Sequence, residues 1–466
     1  MSVTAADHTK MAVPSPLDDP RFPLADSRHW TGRDLAVLWH PCTQMHDHAA
    51  GVPLLPVARG EGAWLVGHDG RRYLDAISSW WTNLYGHANP RIGAALKDQL
   101  DRLEHVIFAG FTHEPAARLA AELVARMPPG LERVFFSDDG STAVEVAMKM
   151  AVQHWRHRGE PRRTLFLALE NAYHGDTFGA MAAGSTALFH GAFAELLCEV
   201  AHLPVPSSET EVEACVAALE RALEADGERV AAMIVEPILQ GAGGMRIHPP
   251  AYLAAVRAAT ARHGIPLVAD EIFTGFGRTG RFLACEHAGI APDLVCLSKG
   301  LTGGMLPLGA TIATGAIYDS FLSDDRGRTF FHGHSFTANP IACAVARASL
   351  ALFDERRTLD RVGRMEALFA RRLERLARIP GVAATRGVGG LAVVELASSP
   401  RTGSTEDGYL DPRGPRLARR LLDRGLYIRP LGDIVYFLPP FAVTDEECEW
   451  ALELVEQELR ALEVEP

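Results

Sequence analysis

Short apolar runs that stop on polar residues set the rhythm of this chain. They lie at Arg133–Phe136, Thr164–Leu169, Val230–Val235, Leu267–Ala269, Leu294–Leu297 and Ala310–Thr314. Between and after them, apolar residues return at helical spacing over 141–158, 211–226, 250–263 and 339–355. Runs of this kind predict strands buried on both faces, and their alternation with helices predicts a mainly parallel sheet covered on both sides. Upstream, GAWLVGHDGRRYLDA has the hydrophobic–turn–hydrophobic form of a hairpin, with Asp69-Gly70 at the turn. After about residue 356 the character shifts. A charged amphipathic helix, Leu359–Leu376, leads into short strands at Val388–Glu395 and Leu426–Arg429 and a last helix, Asp445–Leu462. The pattern therefore predicts an α/β chain with a large domain over 76–355 and an α+β unit over 356–466. Residues 1–30 read as a loosely ordered polar arm.

Composition narrows the classes. At 466 residues and 47% hydrophobic content the chain can bury a large core and more than one domain. Its apolar runs fall far short of a membrane span. A net charge of -12 without a basic tract argues against nucleic acid as a partner. The cysteines stand singly at 42, 198, 215, 285, 296, 343 and 448, with no CxxC, which fits a reducing cytoplasm. The N-terminus lacks the apolar core of a signal peptide, and no metal ligand set is expected.

Two strand ends carry the chemistry. The run Leu267-Val268-Ala269 ends on Asp270-Glu271, and the run Leu294–Leu297 ends on Ser298-Lys299-Gly300. Ligands of open α/β sheets bind beyond the carboxyl ends of the strands, so an acid and a lysine are expected at one rim. Pyridoxal phosphate chemistry needs that pair: a lysine for the aldehyde, an acid to keep the pyridine nitrogen protonated. A buried salt bridge, or two unrelated strand ends, is the alternative for an isolated Asp and Lys.

Three further stretches bear on the choice. Ser137-Asp138-Asp139-Gly140-Ser141-Thr142 follows a strand and opens a helix, whose N-terminus suits a phosphate while Gly140 lets backbone approach. Thr142 and Glu145 have capping-box spacing, so an ordinary capped helix is the other reading. Tyr173-His174 on the next loop can lay a ring against a planar cofactor, or simply pack. Glu236 ends another strand at the same rim, where it either orients a ligand or caps a helix. The run Gln240–Gly244 lacks the GxGxxG pattern after a strand, which disfavours a dinucleotide fold.

Order and spacing together are more specific than any one piece. The sequence resembles the class III aminotransferases, which are fold-type I pyridoxal 5'-phosphate enzymes, over almost all of residues 35–460. The resemblance rests on Trp39-His40-Pro41, Ser78-Ser79-Trp80-Trp81, Asp139-Gly140-Ser141 with VEVAMKMA, YHGDTFGAM from Tyr173, Glu236-Pro237-Ile238, and Asp270-Glu271 with Thr274–Gly280. SSWW together with YHGDTFGAM is similar to the branch that aminates 8-amino-7-oxononanoate in biotin synthesis, with S-adenosylmethionine as donor. The resemblance implies a smaller domain in which residues 31–75 join the C-terminal segment, and a homodimer with active sites at the interface. It implies Lys299 as the Schiff-base lysine and Asp270 as partner of the pyridine nitrogen. Gly140 and Ser141 would hold the phosphate, and Tyr173 would lie near ring and substrate. Gly333-His334-Ser335 would complete the site across the interface, with Ser335 on the phosphate and Gly333 near substrate. Trp80 and Trp81 would wall an apolar tunnel, Arg429 would clamp the acceptor carboxylate, and Arg278 would lie near the substrate pocket.

Two residues depart from the pattern. Cys42 stands where some members carry a substrate-recognising tyrosine, and His334 stands where some carry proline. A different ω-aminotransferase, taking lysine, diamines or β-amino acids, is the nearest alternative. An aminomutase would need no separate donor. A cofactor-binding regulator would need an N-terminal DNA-binding motif, for which residues 1–60 show neither helices nor positive charge.

Overall fold

A computed structural model describes residues 27–50, 54–397 and 408–462. The expected arm lies mostly outside them, and its last residues instead begin a helix, Ser27–Val37. The centre is a seven-stranded sheet in the order Leu131–Ser137, Gly309–Thr314, Leu294–Leu297, Leu267–Asp270, Val230–Val235, Leu165–Leu169, Val200–Leu203. All neighbours pair in parallel except Gly309–Thr314, which runs antiparallel to the strand on either side of it. The three central strands, Val230–Val235, Leu267–Asp270 and Leu294–Leu297, are buried at every position, as continuous apolar runs require. Helix Gly140–His157 turns Val144, Ala147, Met148, Ala151 and Trp155 onto one cluster with Phe166, Ile234 and Cys296 from the sheet. Across the sheet, Leu167, Met233 and Leu267 pack with Leu219, Leu223, Tyr252 and Val256 of the helices Val212–Asp226 and Pro250–Arg262.

The hairpin forms as Trp64–Gly67 against Arg72–Asp75. Its second strand also pairs in parallel with Leu426–Tyr427, so N-terminal and C-terminal segments share a sheet. Several strands among the described residues escaped the sequence pattern. Val57–Glu61 is largely exposed, and Val200–Leu203 is an edge strand with a histidine in it. The run expected as one strand over Val388–Glu395 is the inner part of a hairpin, Val382–Val388 and Leu391–Leu396, turning at Gly389 with φ +54. Ile434–Phe437 continues that sheet just ahead of Pro439-Pro440.

Candidate active site

The carboxyl ends of five parallel strands deliver the site to one rim, after Ser137, Leu169, Val235, Asp270 and Leu297. Asp270 sits opposite Cys296 in the ladder, and Lys299 follows that strand after Ser298. The expected pair is therefore brought together, and both line a cleft of about 670 Å³. Gly140, Ser141, Tyr173, Glu236 and Trp81 line it too.

Asp270 is wholly occupied on its inner side. Its Oδ1 accepts from the Ile272 N–H at 3.1 Å, and its Oδ2 lies 2.7 Å from His174 Nδ1. Burial works against a charge on His174, but the hydrogen bond to Asp270 and the charges of Asp270 and Glu236 outweigh it and raise its pKa. A histidine held toward its cation orients the carboxylate at the cleft. Glu236 accepts from the N–H groups of Tyr173 at 3.1 Å and Gly241 at 2.9 Å. Burial, reinforced by Asp270, lifts it to about 7 against the pull of His174 and the two N–H groups.

Lys299 is half-buried, and loss of solvation, with a smaller push from the Arg278 charge, lowers its pKa to about 8 although Asp270 and Glu236 pull the other way. Its Nζ lies 4.7 Å from the ring centre of Trp81 and 5.4 Å from that of Phe273. Its φ of +38 is a strained conformation for a long side chain, of the kind held at functional sites. An amine of this sort reaches its nucleophilic neutral form near neutral pH.

The phosphate side is a helix start. The capping box closes between Asp139 and Thr142, not between Thr142 and Glu145: the Thr142 N–H donates to Asp139 Oδ1 at 2.8 Å and the Asp139 N–H to Thr142 Oγ1 at 3.1 Å. Glu145 instead accepts from the N–H groups of Gly179 at 2.6 Å and Ala180 at 3.1 Å, tying in the loop that carries Tyr173. Ser141 Oγ lies 2.8 Å from Thr177 Oγ1 and accepts from the Thr177 N–H at 3.1 Å. A Cβ on Gly140 would meet Ile272 at 2.8 Å, and one on Gly175 would meet Ser141 Oγ at 2.3 Å. The backbone thus forms a close cradle of hydroxyls and helix N–H groups at one end of the cleft. An acid inside, a depressed amine beside it and an anion cradle at the end fit pyridoxal phosphate.

Other expected residues lie off the cleft wall. Arg278 lies behind the cleft: it is 1% exposed, and its Nη2 donates to the carbonyls of Trp81 at 3.1 Å and Asn83 at 3.0 Å while Nη1 reaches Pro439 O at 3.3 Å. It holds a turn in which Ser78, Ser79, Trp80 and Trp81 all have positive φ. Such residues strongly resist that conformation, so the turn needs external ties. Ser79 Oγ to Asp75 Oδ2 at 2.7 Å and Trp81 Nε1 to Tyr436 Oη at 3.0 Å are two more. Trp80 is exposed, with the Arg429 guanidinium 4.8 Å from its ring centre. Arg429 Nη2 also reaches the Cys42 carbonyl at 3.4 Å. Gly333 and Ser335 are exposed, and His334 Nδ1 lies 2.9 Å from Asp138 Oδ2, just ahead of the phosphate cradle.

Sequence reasoning gave Thr177 no role and took His174 only as one of a pair that could lie against a cofactor ring. Both stand inside the quoted stretch from Tyr173, but only the fold sets His174 behind Asp270 and Thr177 against Ser141.

Comparison with known proteins agrees with this geometry. The model for the family "Aminotransferase class-III" matches residues 45–459. A relative from Synechococcus elongatus, an adenosylmethionine-8-amino-7-oxononanoate aminotransferase, is 50% identical over 88% of this chain and 96% of its own. The crystal structure of the protein of that name from Methanocaldococcus jannaschii superposes with TM-score 0.89 at 36% identity, covering 94% of this chain and 99% of that one. An amine transaminase from an uncultivated Pseudomonas species, solved in its PLP-bound form, superposes with TM-score 0.83 at 33% identity, covering 91% and 98%. The chain is an aminotransferase and belongs to the class III family.

Proposed function

We propose that this aminotransferase uses pyridoxal 5'-phosphate to convert 8-amino-7-oxononanoate to 7,8-diaminononanoate, with S-adenosylmethionine as amino donor. The cofactor reading is carried by one observation: the depressed Lys299 amine and the His174-backed Asp270 carboxylate meet in one cleft. The substrate reading is supported by relatives of that name and by Arg429 beside Trp80 at the rim.

When bound, the cofactor supplies an electron-accepting ring that lets a C–H bond beside an amine break heterolytically. Asp270 would hold the ring nitrogen protonated, and His174 orients Asp270. Gly140, Ser141 and Thr177 would hold the phosphate, and Glu236 and Tyr173 would border the ring. Lys299 Nζ would hold the aldehyde and, once freed by an incoming amine, would carry a proton from the donor's α-carbon to the cofactor and, in the second half-reaction, from the cofactor to the acceptor carbon. Trp80 and Trp81 wall the acceptor chain, while Arg429 pairs with its distant carboxylate. The donor's sulfonium rests over an aromatic face.

The enzyme works as a cytoplasmic homodimer, in which Ser335, His334 and Gly333 of a second copy complete each site. The exposure of Gly333 and Ser335 in the single chain, next to exposed Phe331 and Phe336, supports this. All seven cysteines are free, which supports a reducing compartment. Among the described residues no helix is long and apolar enough to cross a membrane.

A paired donor–acceptor assay tests the reading. S-adenosylmethionine with 8-amino-7-oxononanoate should give 7,8-diaminononanoate, and lysine should be a poor donor. Efficient turnover with lysine alone would overturn the donor. Failure to aminate this acceptor, with amination of simple ketones or aldehydes, would make the protein a different ω-aminotransferase.

A further inference from the structure

Beside the cleft, the segment from Arg328 to Ser335 runs along helix Gly140–His157 toward its N-terminus. Arg328 Nη2 donates to the His157 carbonyl at 3.0 Å, and Gln153 Nε2 to the Thr329 carbonyl at 3.0 Å. Closer to the phosphate cradle the ties change character. Lys149 Nζ lies 2.9 Å from His332 Nδ1, His332 Nε2 lies 3.2 Å from His334 Nε2, and His334 Nδ1 lies 2.9 Å from Asp138 Oδ2.

One arrangement of protons satisfies all three links. An ammonium only donates, so His332 Nδ1 must accept. His332 Nε2–H then donates to His334 Nε2, and His334 Nδ1–H donates to the Asp138 carboxylate. Both imidazoles are neutral in this arrangement. A proton added to either ring sets two donors face to face, at Lys149 or between the rings, and one link is lost.

We propose that these links form a proton-sensitive latch, in which His332, acting through His334, positions the segment that presents Ser335 to the site of the second copy. The proposal rests on the reading above, in which Ser335 serves a cofactor phosphate. The charged groups facing His332 are Lys149 and Glu145 from the helix and His334 from its own segment, while Phe135 and Phe330 pack on its ring at 6.0 and 5.6 Å. Burial, then Lys149 and His334, lower its pKa against the pull of Glu145. A lowered histidine pKa means that the folded segment prefers the neutral ring. The latch is therefore complete above the unperturbed histidine pKa of about 6.5 and is lost as pH falls below it.

The test compares the wild-type protein with His332→Phe, which keeps a ring against Phe135 and Phe330 but cannot relay a proton. The first readout is hydrogen exchange of the peptide covering 328–337, corrected for the intrinsic pH dependence of exchange. Wild type should lose about fivefold in protection between about pH 8 and pH 5.5, as for one ordinary hydrogen bond, and the variant should be low at both. The second readout is pyridoxal phosphate release followed by absorbance, which should be faster in the variant at about pH 8 and match wild type at about pH 5.5. Equal protection of wild type at both pH values, or full protection in His332→Phe, would overturn the latch. A shift in protection without a shift in release would overturn its action on the cofactor site. Should the protein take no cofactor on Lys299, the functional reading fails, and the exchange data still decide whether the latch exists.

Discussion

The floor of the cleft and its rim are built in different ways. On the floor, Asp270, His174 and Glu236 are buried and Lys299 is half-buried, and the acids and His174 are each fixed by specific hydrogen bonds. On the rim, Trp80, Cys42 and Ser335 are exposed, and Arg429 is held by one ring face and one long contact to a main-chain carbonyl. The floor comes from adjacent strands of one sheet, so folding alone assembles it. The rim comes from the N-terminal segment, the turn at residue 80, the loop at 333 and the segment after Leu426–Tyr427, and a single chain leaves it open. Electron-sink chemistry demands a rigid, desolvated floor. On the proposed reading, substrate choice is left to this more open surface.

Breaking the floor should have the largest effect. Lys299→Ala should abolish turnover and any borohydride-fixed cofactor adduct. Peptide mapping of the reduced wild-type protein checks this, and an adduct on another lysine would remove Lys299 from the role. The same residue gives a pH test. Only its neutral amine attacks an aldehyde, so the rate at which cofactor-free protein captures pyridoxal phosphate should rise about tenfold per pH unit up to about 8 and then level off. A rise continuing to the ordinary lysine range, near pH 10.4, would show that burial does not depress it.

Asp270→Asn should slow the half-reaction by roughly 10²–10³-fold, the scale for losing one preorganised charged group. Cofactor affinity should fall far less, because Gly140, Ser141 and Thr177 are untouched. Single-turnover spectra and equilibrium dialysis separate the two, and a near-normal half-reaction would refute the role.

How far the sequence revealed each region follows from the same contrast. The floor was legible because buried parallel strands announce themselves as apolar runs, and their last polar residues, Asp270 and Lys299, mark the rim of the sheet. The cradle was legible as a strand–Gly–helix junction, but its capping partner was not. Thr142 bonds back to Asp139, and Glu145 is drawn away to a loop more than thirty positions on. The place of Arg278 behind the cleft was not legible, because a residue near a pocket in sequence pattern can serve it from behind. Its guanidinium meets main-chain carbonyls, and carbonyls leave no mark in a sequence. The edge strand Val200–Leu203 and the loop His332–Ser335 depend on neighbours contributed by distant segments, which periodicity does not report.

Changes at the rim should affect substrates and spare the cofactor. Arg429→Ala should lose about 1.5–3 kcal/mol of acceptor binding, the range for a hydrogen bond to a charged group, read as roughly a 10–150-fold rise in acceptor KM. An analogue without the carboxylate should bind variant and wild type alike. If both acceptors weaken equally, Arg429 is a structural tie for the Cys42 loop.

The smallest effect is expected at Cys42. Its contact with Arg429 runs through the main-chain oxygen, which every residue supplies. Its φ is +50, a conformation that β-branched residues resist and that small side chains tolerate better. Cys42→Ala should therefore change acceptor KM by less than about twofold, within the range of an ordinary surface substitution. Cys42→Val should do more harm than Cys42→Ala, because its β-branch strains the turn that presents the carbonyl to Arg429. Steady-state kinetics for the two variants, with cofactor content measured alongside, checks this. Equal kinetics for Ala and Val would mean that backbone conformation at Cys42 does not set the position of Arg429. A large loss in Cys42→Ala would mean that the thiol itself touches substrate, and the rim would then be more specifically built than its contacts in the single chain indicate.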